Sequence, residues 1–423
     1  MRLNNILRLG LLLLCLSPAT LVRAATVSIS CGAVGIELEV CRDGAEAWAE
    51  KTGNEIRIIS TPNSTTDRLA LYQQLLAAGS ADIDVFQIDV VWPGILHEHF
   101  IDLKPHIEPE RLRAQFENII DANIVDGHLV ALPWFVDAGL LYYRKDLLDK
   151  HGFGVPETWE ALTHTAATIQ KTERAGGNRD LWGFVWQGRA YEGLTCNALE
   201  WVHSSGGGNI VDDRGEVIIN NPAAVEAIDQ AAAWIGTITP LGVLNYEEEQ
   251  ARGVFQSGRA LFMRNWPYAW TLVNGGDSPV RGKVGIAALP RGEDGVHTGT
   301  LGGWQLAVSR YSGVRQEAID LVRHLSSRRE QKRRALEAGY NPTWPELYDD
   351  PEVRAAHPIA PTLRKVLAGA VARPSDVTGR SYNQVSNAFW SAVHATLAGK
   401  GDAAGNLALL ERRLERIRRH RGW

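Results

Sequence analysis

In the stretch 131–148, ALPWFVDAGLLYYRKDLL, Asp137 is the one charged residue before Arg144, set among apolar and aromatic neighbours. A carboxylate buried in such surroundings is costly unless something polar meets it. Polar and aromatic groups of the same kind recur where short apolar runs end. Glu37 follows the first such run; Asn63, Thr65 and Arg68 follow the second; Asp89, with Trp92 nearby, closes the third. Phe135 lies just before Asp137. Farther on come Trp186, Tyr191 and Glu192, then Arg264-Asn265-Trp266-Pro267-Tyr268, then Gly302 with Trp304, and late in the chain Arg373. Carboxylates accept hydrogen bonds, Arg and Asn donate them, and indoles offer flat faces. A sugar uses all three, because its hydroxyls take charged or bidentate partners, which make the stronger hydrogen bonds, and its C–H faces lie on rings. Each residue also has a plainer use: Asp89 as a helix cap, the tryptophans as core, Arg68 as a solvated charge. Their shared place at run ends carries the functional reading.

The elements that must position them alternate. The β-branched run 25–30 reads as a strand, 37–51 as a helix, 55–60 as a strand, 65–78 as a helix and 83–90 as a buried strand. Strand, helix and strand in this order make a parallel α/β sheet. The pattern resumes after Asp137 with helices at 158–172, 195–204, 222–236 and 247–256 and strands at 181–186, 284–287 and 303–309. One long amphipathic helix is expected over 316–337, and shorter ones over 362–367, 382–398 and 404–419. The last is basic, as a solvated face often is. With no low-complexity linker and no fixed-period repeat, two α/β bodies joined by ordinary strands are expected, with a crevice between them. Ligands of open α/β sheets bind outside the carboxyl ends of the strands.

The chain has 423 residues, enough for more than one domain. Its 44 Lys and Arg against 49 Asp and Glu exclude the basic footprint of a nucleic-acid binder. The 14 tryptophans exceed what a core alone needs and suit the stacking of flat rings. Residues 1–24 have a basic start, a leucine run and a small-x-small end, so they read as a secretory signal peptide, and the remainder as a periplasmic protein. Cys31, Cys41 and Cys196 remain after it. Cys31 and Cys41 are close enough for a bridge in an oxidising compartment, which the sequence leaves open. No spacing suggests a zinc site, and no cofactor is indicated.

Four stretches carry a resemblance: the segment around Asp137, WGFVWQGRAYEGLTCNALEWV, RNWPYAWTLVNGGDSPVRGKVGIAALP and LGGWQLAVS. They resemble the extracellular solute-binding proteins of ATP-driven sugar importers, most closely the trehalose/maltose-binding subgroup, over essentially the whole chain after the leader. The resemblance implies a two-lobed periplasmic-binding fold of class II with three hinge crossings. Residues 25–136 and 303–340 would form one lobe and 137–302 and 341–423 the other. It implies sugar-hydroxyl acceptors at Glu37, Asp89 and Asp137, donors at Arg68 and Arg373, and further contacts from Asn63, Thr65 and Tyr268. Trp266 and Trp304 would be stacking platforms, with Gly302 offering backbone. Phe135 stands where such proteins often carry tyrosine, so one hydroxyl is missing. The implied role is a non-enzymatic, monomeric receptor for an α-linked glucose disaccharide that delivers it to the membrane subunits of an ABC permease. Two other readings share the pocket chemistry. One is a secreted glycosidase using Asp89 and Asp137 as its carboxylate pair; the other is a sugar sensor docking on a chemoreceptor.

Overall fold

The computed structural model describes residues 24–357 and 359–423. Apart from Ala24, the expected leader lies outside them. Strand β1 (Thr26–Cys31) is buried beyond its first residue, and its pairing with β2 (Glu55–Ser60) is parallel. The helix between them, Glu37–Thr52, stops at Gly53, whose φ of 74° is the left-handed turn that glycine supplies at helix ends. Ser64 caps the next helix, Thr65–Ala77, by accepting from the Asp67 N–H at 3.2 Å. Strand β3 (Val85–Asp89), buried throughout, pairs parallel to β1.

The chain then returns as β4 (Leu132–Ala138) and, after Gly139 alone, continues as β5 (Leu140–Arg144). Neither was assigned as a strand from sequence, because their apolar run has no period-two alternation. β4 is buried on both faces, which removes that signal. The two belong to different sheets. β4 is the edge of a five-stranded sheet; β5 lies inside a four-stranded one with β6 (Trp182–Val185), β7 (Ala260–Asn265) and β8 (Val284–Ala287). Strand β9 (Leu301–Val308) recrosses to the first sheet and lies antiparallel between β3 and β4. The order is β2-β1-β3-β9-β4 in the first sheet and β8-β5-β7-β6 in the second. At the crossing, a side chain on Gly139 would meet Glu200 Oε1 at 2.0 Å, so only glycine fits.

Helices Glu192–Ser204, Pro222–Trp234, Tyr382–Leu397 and Ala403–Arg421 cover the second sheet around a core holding Trp159, Trp186, Trp201 and Trp234. Two expectations need correction. The long helix over 316–337 is broken into Arg315–Leu325 and Arg328–Ala338, because Ser327 caps the second piece through the Glu330 N–H. Residues 341–348, expected with the second lobe, pack on the first body. Thr343 donates to Gln115 Oε1 at 2.8 Å, the Trp344 indole donates to the Ser326 carbonyl, and Tyr348 lies against Phe116.

Cys31, at the end of β1, is bonded to Cys41 in the following helix. A crosslink across ten residues removes loop entropy from the unfolded chain worth about 3 kcal/mol. Cys31→Ser with Cys41→Ser should therefore lower the thermal midpoint by a few degrees while leaving the site formed, as scanning calorimetry would show.

Candidate functional site

Register brings the predicted residues together. Trp304 lies opposite Asp89 on one side and Phe135 on the other, and Gly302 lies opposite Asp137. The carboxyl ends of β3 and β4 and the start of β9 thus share one rim of the first sheet. The segments after β1 and β2 add Glu37, Asn63 and Thr65 to that rim. Facing it from the second body are Trp266 and Tyr268, which follow β7, and Arg373 reaches in from the loop between the helices Ala360–Ala368 and Ser375–Thr378. Together they line one cavity.

Arg68 is the exception. It lies behind the wall, fully buried, with its guanidinium 4.2 Å from the centre of the Trp304 ring and two N–H groups on the Pro62 carbonyl. It braces the ring rather than lining the cavity. Glu192, which the sequence places at a run end without a ligand role, also lines it, as do Glu248, Cys196 and Tyr340, which sequence reasoning missed. Glu192 sits beyond the end of β6, a position that points to strand-end chemistry. Glu248 looks like an ordinary acidic helix start, and Tyr340 carries no pattern at all.

The two platforms differ from the core tryptophans. Trp159, Trp186, Trp201 and Trp234 are almost wholly buried, whereas Trp266 and Trp304 are half-buried and face the cavity. Trp304 meets Trp92 edge-on at 5.6 Å. Trp266 has the Arg264 guanidinium 3.9 Å from its ring centre, and its indole N–H donates to Glu248. The platform cannot swing, because Arg264 is itself held by both oxygens of Glu200. Gly302 lets the ring approach: a side chain there would meet it at 3.0 Å.

Five carboxylates face the cavity against the single guanidinium of Arg373. Arg373 bridges the two bodies. Its Nη2 donates to Asp89 Oδ1 and its Nη1 to Glu192 Oε1, each at 2.7 Å. Tyr382 and Ser386 also donate to Glu192. Burial pushes the Glu192 carboxyl upward, partly offset by Arg373. Burial likewise raises Glu37, which accepts from Gln87, and Glu248, which accepts from Tyr191. Buried Thr65 Oγ1, Tyr340 Oη and Arg373 Nε have no hydrogen-bond partner among the described residues. The Cys196 thiol is pushed up to about 12 by burial and is inert. No cluster among the described residues has the make-up of a metal site.

Asp137 is raised to about 7, first by burial and then by Glu37; one N–H of Asn341 works the other way. A carboxyl raised in this way binds more protons folded than unfolded. Stability therefore falls as pH climbs from about 4 to about 7, then levels off. The sugar-free protein should show a thermal midpoint falling across that window, and Asp137→Asn should flatten the fall. Identical curves for the two proteins would contradict the assignment.

Comparison with known proteins gives the family and the fold. Residues 42–332 match the family model of bacterial extracellular solute-binding proteins. The chain belongs to this family. A Deinococcus radiodurans protein named "Probable ABC transporter-binding protein" is 49% identical over 408 residues, 96% of this chain and 97% of that one. The maltose-bound structure of T. maritima MalE3 superposes with a TM-score of 0.89 at 39% identity, covering 93% of this chain and all of that one. A Thermotoga lettingae solute-binding protein with bound α-D-tagatose shares the fold at 21% identity, with a TM-score of 0.84 over 93% of this chain and all of that one. The family and these neighbours are binding proteins rather than enzymes. Among the described residues of this solute-binding protein, no helix is long and apolar enough to cross a membrane.

Proposed function

We propose that this solute-binding protein captures a neutral α-linked glucose disaccharide, of the trehalose, maltose or sucrose type, in the periplasm. It hands the sugar to the membrane subunits of an ABC importer and works as a monomer. The observation that carries this reading is the pairing of two half-exposed indoles with a ring of buried carboxylates in one cavity between two bodies. Such a lining accepts hydroxyl protons and stacks C–H faces, while its excess negative charge rejects phosphorylated or acidic solutes. The maltose carried by a structure 39% identical to this chain supports the same solute class.

The lobes proposed are 25–136 with 303–340, and 137–302 with the late segment; the stretch 341–348 rides on the first. Closure is a hinge motion at the crossings. A sugar favours the closed form only by touching both lobes, since a ligand shifts an equilibrium by its differential affinity. Asp137 supplies contacts from one side and Trp266 from the other.

Asp137→Ala should weaken maltose or trehalose binding by about 10- to 100-fold, the worth of a charged hydrogen bond at ~1.5–3 kcal/mol. The fold should survive. Titration calorimetry of the variant beside the parent tests this, and full retained affinity would remove Asp137 from the site.

A further inference from the structure

A second charged surface lies away from the cavity, on the last helix, Ala403–Arg421. Arg412, Arg413, Arg416, Arg419 and Leu409 are all exposed, the leucine at 59%. At about 3.6 residues per turn these positions share roughly a third of the helix circumference and run along about 15 Å of it. The opposite face, with Leu407, Leu410 and Leu414, is buried in the second core. The helix's own carboxylates sit at the flank, half-buried. There Arg418 takes Glu216 at 2.5 Å and Glu415 at 3.6 Å. None of the four exposed guanidinia has an ion-pair partner among the described residues, on a chain whose net charge is −5. Glu411 and Glu415 border the arc, but each is drawn to a partner outside it, Glu411 to Asn220 and Glu415 to Arg418, so the arc itself is left basic.

We propose that this arc docks the protein on an anionic membrane surface, with its arginines on lipid phosphates and Leu409 at the apolar boundary. Each arginine near such a surface adds attraction that decays within a Debye length, about 8 Å at physiological salt. The guanidinium fork matches phosphate oxygens in a bidentate way that an ammonium does not. The arc carries only a shallow, open depression, which suits a planar array of phosphates better than the deep, shaped groove of a protein partner. None of the arc's residues lines the cavity, so docking here uses none of the groups that meet the sugar and confines the protein to the layer in which a membrane-embedded partner is met.

The test is co-sedimentation of the purified protein with vesicles of phosphatidylcholine alone or with 30% phosphatidylglycerol (about that fraction suffices to charge the surface), at low and high salt. The expected result is at least tenfold stronger binding to the anionic vesicles, lost at high salt. It should also fall about tenfold in the variant carrying Arg412→Gln, Arg413→Gln, Arg416→Gln and Arg419→Gln. These exposed positions leave the core untouched, so the thermal midpoint serves as the folding control. Equal binding to both vesicle types overturns the proposal, as does a fourfold variant that binds as the parent does. Retention of the parent by an acidic protein but not by anionic vesicles would also overturn it.

Discussion

Replacing Arg373 by methionine is expected to weaken sugar binding at least about a hundredfold, equivalent to ~2.7 kcal/mol, and to cost about 3–5 kcal/mol of stability. The side chain is 3% exposed and lies between two carboxylates that belong to different bodies: Asp89 at the end of β3, and Glu192 at the start of a helix on the second sheet. Methionine fills much of the same space but leaves both acids buried without their cation. They then repel each other across the closing interface, so the open form gains relative to the closed. The loss should thus appear both in equilibrium unfolding and in calorimetric affinity. Arg373→Lys should recover only part of it, since one ammonium does not present two parallel donors. Unchanged affinity in the methionine variant would mean that the bridge has no part in closure.

The second large effect is expected at Arg264. This guanidinium and the Glu200 carboxylate are 1% and 0% exposed, and they form a two-pronged pair. Glu200 Oε1 also accepts the Thr300 N–H at 3.0 Å, next to Gly139, so the pair is anchored where the chain crosses between sheets. Arg264→Leu strands a buried carboxylate and should cost about 3–5 kcal/mol. It also removes the cation beneath Trp266. The double variant Glu200→Leu with Arg264→Leu separates the two consequences. An apolar pair of similar bulk can restore stability, yet the platform stays unsupported, so sugar affinity should remain low. Denaturant unfolding and titration of the single and double variants would show this; recovery of both together would mean that the ring needs no guanidinium behind it.

How far the site was legible follows from where each residue sits. Asp89, Asp137 and Trp304 were readable because short apolar runs end at polar groups, and sheet register then sets them side by side. Glu248 was not, because it opens a helix, where an acid is the ordinary choice for the macrodipole. Arg68 misled for the opposite reason. Type and position suit a ligand donor, and only the packed structure turns it behind Trp304. In the fold, the alternating strands and capped helices near the start were clear. The doubly buried β4, with no alternation to mark it, was not. The break at Ser326-Ser327 was hidden because no glycine or proline marks it.

The most direct measurement is calorimetric titration of the protein with trehalose, maltose, sucrose and glucose, with the sugar analysed afterwards. Tight one-to-one binding of an intact disaccharide is expected, with weaker binding of glucose, which cannot span both bodies. Glucose released from the disaccharide, or no binding of any of the four, would contradict the proposed function.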